Sequence, residues 1–302
     1  IKNIDMDNRI LEIRGRSRYP FHKWEKTARY QIENVPAALD APGEWYLDRE
    51  TGILKYIPIP GEDPRAVEII APVLTNLVDI EGDADSGNYI EHLKLSNLSF
   101  QYGDWPIAPD EGHSFSQSAI DRSSGNNVAN AVEIDGAKGI VLKNLEVAHV
   151  GGYGISLGHG CRENRIEQCH IHDLGAGGVK IGETSVPEEE RGRTQMNTVY
   201  NCFIHNGSHV IHSGVGVWIG RSDGNTISHN EISDFYYTGI SVGWVWGFAP
   251  SRARRNRIEA NHIHTIGQGL LSDMGGIYSL GVSPGTRICR NLIHDVRCYG
   301  YG

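Results

Sequence analysis

The sequence is poor in the features that mark most protein classes. Its 302 residues hold five cysteines (Cys161, Cys169, Cys202, Cys289 and Cys298), too few for a disulfide framework, so buried free thiols are expected. No apolar run approaches the roughly 20 residues of a membrane-spanning helix. Cations are in the minority: 28 Lys and Arg face 37 Asp and Glu, a net charge of −9. That balance counts against nucleic acid or an anionic membrane surface as partner. Methionines number three, and no helical period connects the apolar residues. "IKNIDMDNRI" offers neither an initiator Met nor a signal-peptide pattern, so the first residue reads as a cut end. The compartment is therefore left open, an extracytoplasmic one being favoured.

Glycine is abundant, with 37 residues, and so is internal repetition. Five segments open on an apolar residue: Ile166 in "NRIEQCHIHDL", Val199 in "NTVYNCFIHNG", Ile227 in "NTISHNEISDF", Ile258 in "NRIEANHIHTI" and Ile288 in "TRICRNLIHDV". Their spacings are 33, 28, 31 and 30 residues. Three positions on stand Cys169, Cys202, Asn230, Asn261 and Asn291; five on, Ile171, Ile204, Ile232, Ile263 and Ile293. Leu142–Leu145–Val147 and Leu95–Leu98–Phe100 match in part. A second strand series runs between them: "AVEIDG", "GISLG", "GVKIG", "GVWIG", "GISVG" and "GIYSLG". Each alternates with period 2, and the connections are too short for α/β crossovers. Repeats near 30 residues with two or three short strands describe a parallel β-helix, its coils about 4.8 Å apart. A propeller would need four antiparallel strands per repeat. The expected fold is all-β, with Ile columns inside and an Asn ladder along the stack.

Residues 1–70 differ and read as a small β-rich module, with the β-helix over 71–302. "GEWYLDRETGILKYIPIP" predicts a hairpin: strand Trp45–Leu47, turn Asp48–Gly52, strand Ile53–Pro58. "IENVPAALDAP" suggests one helical turn with Asn34 as N-cap and Pro36 in its first turn.

In the second series the middle residue is expected to face outward: Glu133, Ser156, Lys180, Trp218, Ser241 and Tyr278. A face mixing carboxylate, ammonium, indole and phenol suits sugars, whose apolar faces stack on rings and whose hydroxyls bond charged groups. Trp244, Trp246 and Phe248 follow in "GWVWGFAP". Asp273 enters the same face from a turn, and Gly275 and Gly276 let a ligand approach it closely. A solvated turn Asp is the competing reading. Glycoside cleavage takes two carboxyl groups, about 5–5.5 Å apart when configuration is retained. One coil rise is near that distance, and the next strand of the series falls just past Gly302, so the partner is expected beyond residue 302. The i, i+2 pairs His170/His172 and His262/His264, with His205 and His294, read as a surface ladder bonded to Asp173, Asn206, Asp234 and Asp295. No metal and no cofactor are expected, and the arginines of "SRARRNR" read as a solvated turn.

"HVGGYGISLGHGCRENRI", "GVGVWIGRSDGN" and above all "LSDMGGIYSLGVSPGT" make the chain resemble the right-handed parallel β-helix proteins of glycoside hydrolase family 141, and more distantly family 120, from about residue 30 to the end. The resemblance implies a retaining glycosidase of fucosidase- or xylan-active type acting on plant- or algal-type oligo- or polysaccharides. It implies a catalytic carboxylate in the D-x-G-G-I-Y segment, here Asp273, and a second in a D-E-G-S-S-type segment one coil later, which this sequence lacks. The chain reads as truncated at both ends. Tyr278, Trp218, Trp244, Trp246, Lys180 and Glu133 are the expected substrate contacts. A polysaccharide lyase or uronate epimerase would share the fold but want a basic groove or a carboxylate-rich Ca²⁺ site. A glycan-binding β-helix without activity would keep the aromatics and tolerate loss of Asp273.

Overall fold

A computed structural model describes residues 1–13, 29–30, 32–104, 117–119 and 128–300. Chain contacts divide it into two compact units, one including Ile1–Ala71 and the other beginning at Pro72. Residues 14–28 and 31 of the expected N-terminal module lie outside the described residues.

Among the described residues, the first unit holds two antiparallel strand pairs. Asn3–Asp5 pairs with Ile10–Glu12, and Trp45–Asp48 with Ile53–Tyr56, Trp45 opposite Tyr56. Asp48 sets the second turn by accepting the backbone N–H groups of Glu50 and Thr51, and Gly52 takes the left-handed conformation that follows. The helical turn is a 3₁₀ turn over Pro36–Ala38 with Val35, not Asn34, at its N-cap. Asn34 sits one residue earlier at φ 56°, a conformation its short polar side chain tolerates.

The second unit is a parallel β-helix of three seven-stranded sheets. Sheet I stacks 94–96, 141–143, 165–167, 198–200, 226–228, 257–259 and 287–289. Sheet II stacks 99–103, 146–150, 170–174, 203–207, 231–235, 262–266 and 292–296. Sheet III stacks 78–81, 130–135, 153–157, 179–181, 217–219, 240–242 and 277–279. The partial repeats at Leu95 and Leu142 are full coils in register with Ile166.

Inward columns are aliphatic, as in Leu142, Ile166, Val199, Ile227 and Ile258 of sheet I, all essentially inaccessible. Each such side chain contributes about 1.5–3 kcal/mol of apolar burial. One left-handed residue turns each coil from sheet I into sheet II: Asn97, Asn144, Gln168, Asn201, His229, Ala260 and Arg290, with φ between 51° and 59°. That conformation costs a non-Gly residue roughly 1–2 kcal/mol. Backbone hydrogen bonds between coils hold these corners, as from the Asn144 N–H to the Glu167 carbonyl at 2.9 Å.

Two buried side-chain ladders run along the stack. The expected one passes from the Cys202 N–H to Asn230 Oδ1 (2.9 Å), then to Asn261 and Asn291 (3.0 Å each). Cys169 N–H reaches the Cys202 sulfur at 3.4 Å, so thiols occupy two rungs. A second ladder, Asn164–Asn197–Asn225–Asn256, has the same form. Cys161, Cys169 and Cys202 are buried free thiols, whereas Cys289 is exposed and Cys298 half-buried on the last described coil.

"SRARRNR" is more than a solvated turn. Arg254 and Arg255 both bond Asp223, whose carboxylate is almost wholly buried, at 2.6–2.9 Å. A buried carboxylate needs such partners.

Candidate functional site

Sheet III carries the candidate site on its outer face. Strand pairing stacks Asp79, Glu133, Ser156, Lys180, Trp218, Ser241 and Tyr278 in one column. The sequence-derived site residues gather into two groups along it. Trp218 and Tyr278 are two coils apart, roughly 10 Å at the spacing of paired strands.

The upper group surrounds Asp273. Its Oδ2 accepts the Gln117 amide at 2.5 Å, and its Oδ1 accepts the Tyr278 hydroxyl at 3.2 Å. Tyr237, which periodicity did not single out, donates its hydroxyl to the Asp273 carbonyl at 2.8 Å. Burial, then the adjacent Tyr278 and Asp273, push the Tyr237 phenol above its usual range. It therefore stays a neutral donor. Asp273 has φ 55°, so the turn that presents the carboxylate is held from both backbone and side chain. Trp244 stacks on Tyr278 with ring centroids 6.2 Å apart, and Trp246 meets Trp244 edge-on at 5.8 Å. Trp244 is buried, with its indole N–H on Ser241 Oγ at 3.2 Å, and it supports Tyr278. Trp246 and Phe248 are exposed.

The lower group lines a cavity of about 210 Å³. Glu133, Lys180 and Trp218 are joined there by Asp135 and Glu183. Trp218 departs from the expected exposed platform: it is 1% accessible. Thr184 and Ser185, from the loop after the strand below, line the same cavity, and the indole lies so close over Gly220 that a Cβ there would meet it at 2.4 Å. Its Nε1–H is buried without a hydrogen-bond partner among the described residues. Glu133 accepts the Asn76 amide at 2.7 Å.

Burial, then the charge of Glu133, raises the Asp135 carboxyl. Burial also raises Glu183, with Asp135 adding to it against His159 and Lys180. The same burial lowers Lys180, the three carboxylates opposing. His159 is drawn down by burial but held above its usual value by Asp85, at 3.0 Å, and Glu183, at 3.7 Å. The arrangement suits a neutral ligand rich in hydroxyls, which can donate to carboxylates and accept from ammonium and indole. Asp135 and Glu183 escaped the alternation argument because one ends its strand and the other follows its strand. Their signal was proximity to Glu133 and Lys180 in "AVEIDG" and "GVKIGE".

On sheet II the histidines stack, but only part of the expected bonding to Asp and Asn is present. His294 bonds Asp295 at 2.9 Å and His149 bonds Asp173 at 2.5 Å, but Asn206 bonds His209. His172 and His264 bond Glu146 and Glu231 instead, and His170 Nε2 lies 2.8 Å from His205 Nε2. Burial, followed by neighbouring imidazoles of like charge, lowers His170 and His205.

The family description for the right-handed β-helix region matches residues 130–301, more than half of the chain. The chain belongs to the right-handed β-helix family. No curated protein matches it. Among solved structures, this β-helix is similar to a glycoside hydrolase, with a TM-score of 0.81 and 23% identity over 88% of this chain and 50% of that one. It thus spans about half of that protein's length, and the likeness is one of fold. A complex of XylC with xylose is a weaker match, at a TM-score of 0.36 and 13% identity over 61% of this chain and 36% of that one.

Proposed function

We propose that this β-helix is a glycosidase that hydrolyses O-glycosyl bonds of plant- or algal-type glycans, of the fucosidase- or xylan-active kind found in family 141. The substrate runs along the outer face of sheet III and reacts at Asp273. One observation carries the reading: a carboxylate held on both oxygens by Gln117 and Tyr278, at the head of a column that leads to a carboxylate-, ammonium- and indole-lined cavity. Donors on both oxygens fix the plane of the carboxylate before substrate arrives, and such positioning lowers the barrier. Asp273 is assigned one of the two carboxyl roles. The other is assigned to the turn stacked one coil further on, since a coil rise of about 4.8 Å approaches the separation of about 5–5.5 Å that retention requires. The cavity, with Trp218, Lys180 and Glu133, holds a sugar unit further from the reacting bond.

A uronate-cleaving reading fits less well. Three carboxylates against one lysine line the cavity, a field that repels an anionic sugar.

The test is hydrolysis of aryl fucosides, xylosides and arabinosides by the protein extended through the coil that follows residue 302, and by the Asp273→Asn variant of that form. The expected result is turnover by the parent and a loss of about 10³-fold in the variant, at unchanged melting temperature. Equal turnover in both would return Asp273 to a turn-capping role. Glycan binding with no turnover in either would leave a binding protein.

A further inference from the structure

Six histidines and two glutamates on the outer face of sheet II repeat one arrangement twice. In the lower copy Glu146 stands on one coil, His170 and His172 on the next, and His205 on the one after. In the upper copy the order is Glu231, then His262 and His264, then His294. The contacts repeat atom for atom. His172 Nε2 lies 3.3 Å from Glu146 Oε1, and His264 Nε2 lies 3.3 Å from Glu231 Oε1. His170 Nε2 lies 2.8 Å from His205 Nε2, and His262 Nε2 lies 2.8 Å from His294 Nε2. The ring stacks match as well: His172 and His205 are 7° from parallel at 5.3 Å, and His264 and His294 are 6° from parallel at 5.2 Å.

We propose that each copy binds one borderline-soft divalent transition-metal ion, of which Zn²⁺ is the type, through three imidazole Nε2 atoms and one carboxylate oxygen. Ligand-capable atoms of His170, His172 and His205 all lie within 4.8 Å of one another, as do those of Glu231, His262 and His264. Four ligands about 2.0–2.2 Å from a tetrahedral ion stand roughly 3.4 Å apart. Separations of 2.8–4.8 Å within each group of three straddle that value. The fourth ligand, Glu146 in the lower copy and His294 in the upper, stands outside its group but touches it, 3.3 Å from His172 and 2.8 Å from His262, so side-chain rotation has to bring it in to complete the shell. Facing ring nitrogens within one hydrogen bond of each other satisfy at most one donor–acceptor pair, whereas a shared cation takes a lone pair from each. Imidazole with carboxylate selects Zn²⁺ or its transition-metal neighbours over Ca²⁺, which takes oxygen ligands. Behind the upper site, Asp295 holds the far ring nitrogen of His294, and Thr265 that of His264 at 3.1 Å. Metal-binding histidines are commonly oriented in this way.

With four protein ligands each, the sites are structural clamps, every ion tying three successive coils together. They lie three coils apart, about 14 Å along the axis, on a different sheet from Asp273. Their function therefore stands or falls independently of glycosidase activity.

The test is calorimetric titration of the tag-free, chelator-treated protein with Zn²⁺, with thermal unfolding followed alongside. Two ions per chain are expected in the parent, one in His172→Gln, one in His264→Gln and none in the double variant. Zn²⁺ raises the melting temperature of the parent and leaves that of the double variant where it was; Ca²⁺ moves neither. Circular dichroism shows that the variants fold, since these side chains point outward. No Zn²⁺ uptake by the parent, two ions retained by a single variant, or an equal response to Ca²⁺ would each overturn the assignment.

Discussion

Replacing Lys180 by Met tests the electrostatics of the cavity directly. Lys180 shares the cavity lining with Glu133, Asp135 and Glu183, and His159 lies behind Glu183, itself paired with Asp85. Glu133 lies two strands below Lys180 in the same column, about 10 Å away at the spacing of paired strands. At an effective dielectric of 20 such a pair is worth about 1.7 kcal/mol, so three carboxylates give about 5 kcal/mol. Salt screening over a Debye length of about 8 Å reduces this to roughly 2 kcal/mol, present only while the carboxyls are ionised. The burial that lowers Lys180 acts equally at pH 4 and pH 7 and drops out of the comparison. The pH dependence follows from the raised carboxyls. Because Asp135 and Glu183 titrate above their unfolded values, the stability they contribute is complete below the ordinary carboxylate range. It is lost as pH rises through the raised values. Removing Lys180 raises those values further and steepens the loss. At about 2 °C per kcal/mol for a chain of this size, the variant should melt about 4 °C further below the parent at pH 7 than at pH 4. A deficit equal at both pH values would show a packing effect only. A variant that gained on the parent between pH 4 and pH 7 would show that the carboxyls do not attract the ammonium, and either result would refute the reasoning.

Trp218→Phe removes a buried N–H that has no partner among the described residues. It should leave the melting temperature within about 2 °C of the parent while weakening oligosaccharide binding about tenfold, the worth of one hydrogen bond of about 1.4 kcal/mol; unchanged affinity in a binding titration would remove Trp218 from the sugar site. Gly178→Ala would set its new Cβ 2.3 Å from Ile204 Cγ2 and 2.5 Å from the Gly216 carbonyl oxygen. Because backbone cannot give way, a cost of about 3 kcal/mol, near 6 °C by thermal unfolding, is expected; a drop below 1 °C would mean that the coils can part.

The same glycine explains why so much of the fold was legible. Gly154, Gly178, Gly216 and Gly239 each face an Ile Cγ2 of the neighbouring coil, together with the carbonyl of the next glycine in the series. "GISLG", "GVKIG", "GVWIG" and "GISVG" therefore repeat because stacking leaves no room for a side chain, and the Ile openers repeat because each covers the one below. A stack forces the same solution on every coil, and periodicity reads it. The second Asn ladder was equally available, two residues before each opener at Asn164, Asn197, Asn225 and Asn256. It went unread because attention to apolar openers passes over the polar residue beside them.

The site is where the repeat breaks, and there period alone carries less. Alternation placed Glu133, Lys180, Trp218 and Tyr278 on one column, since strand geometry fixes which residues share a face. It could not tell that Trp218 would be covered, because covering comes from loops, and the loop after 179–181 is the long one that makes the 33-residue spacing. Nor could it bring Gln117, 156 positions away, to the Asp273 carboxylate. The histidines teach the converse. A column of like residues in a β-helix is by default a ladder of hydrogen bonds. The Glu, His-x-His, His order recurs as a unit three coils later, however, with the same atoms at the same distances. Coil stacking requires apolar residues inside and small ones at tight corners, but nothing in it requires that outward-facing polar order. A ligand common to both copies supplies the reason that packing does not.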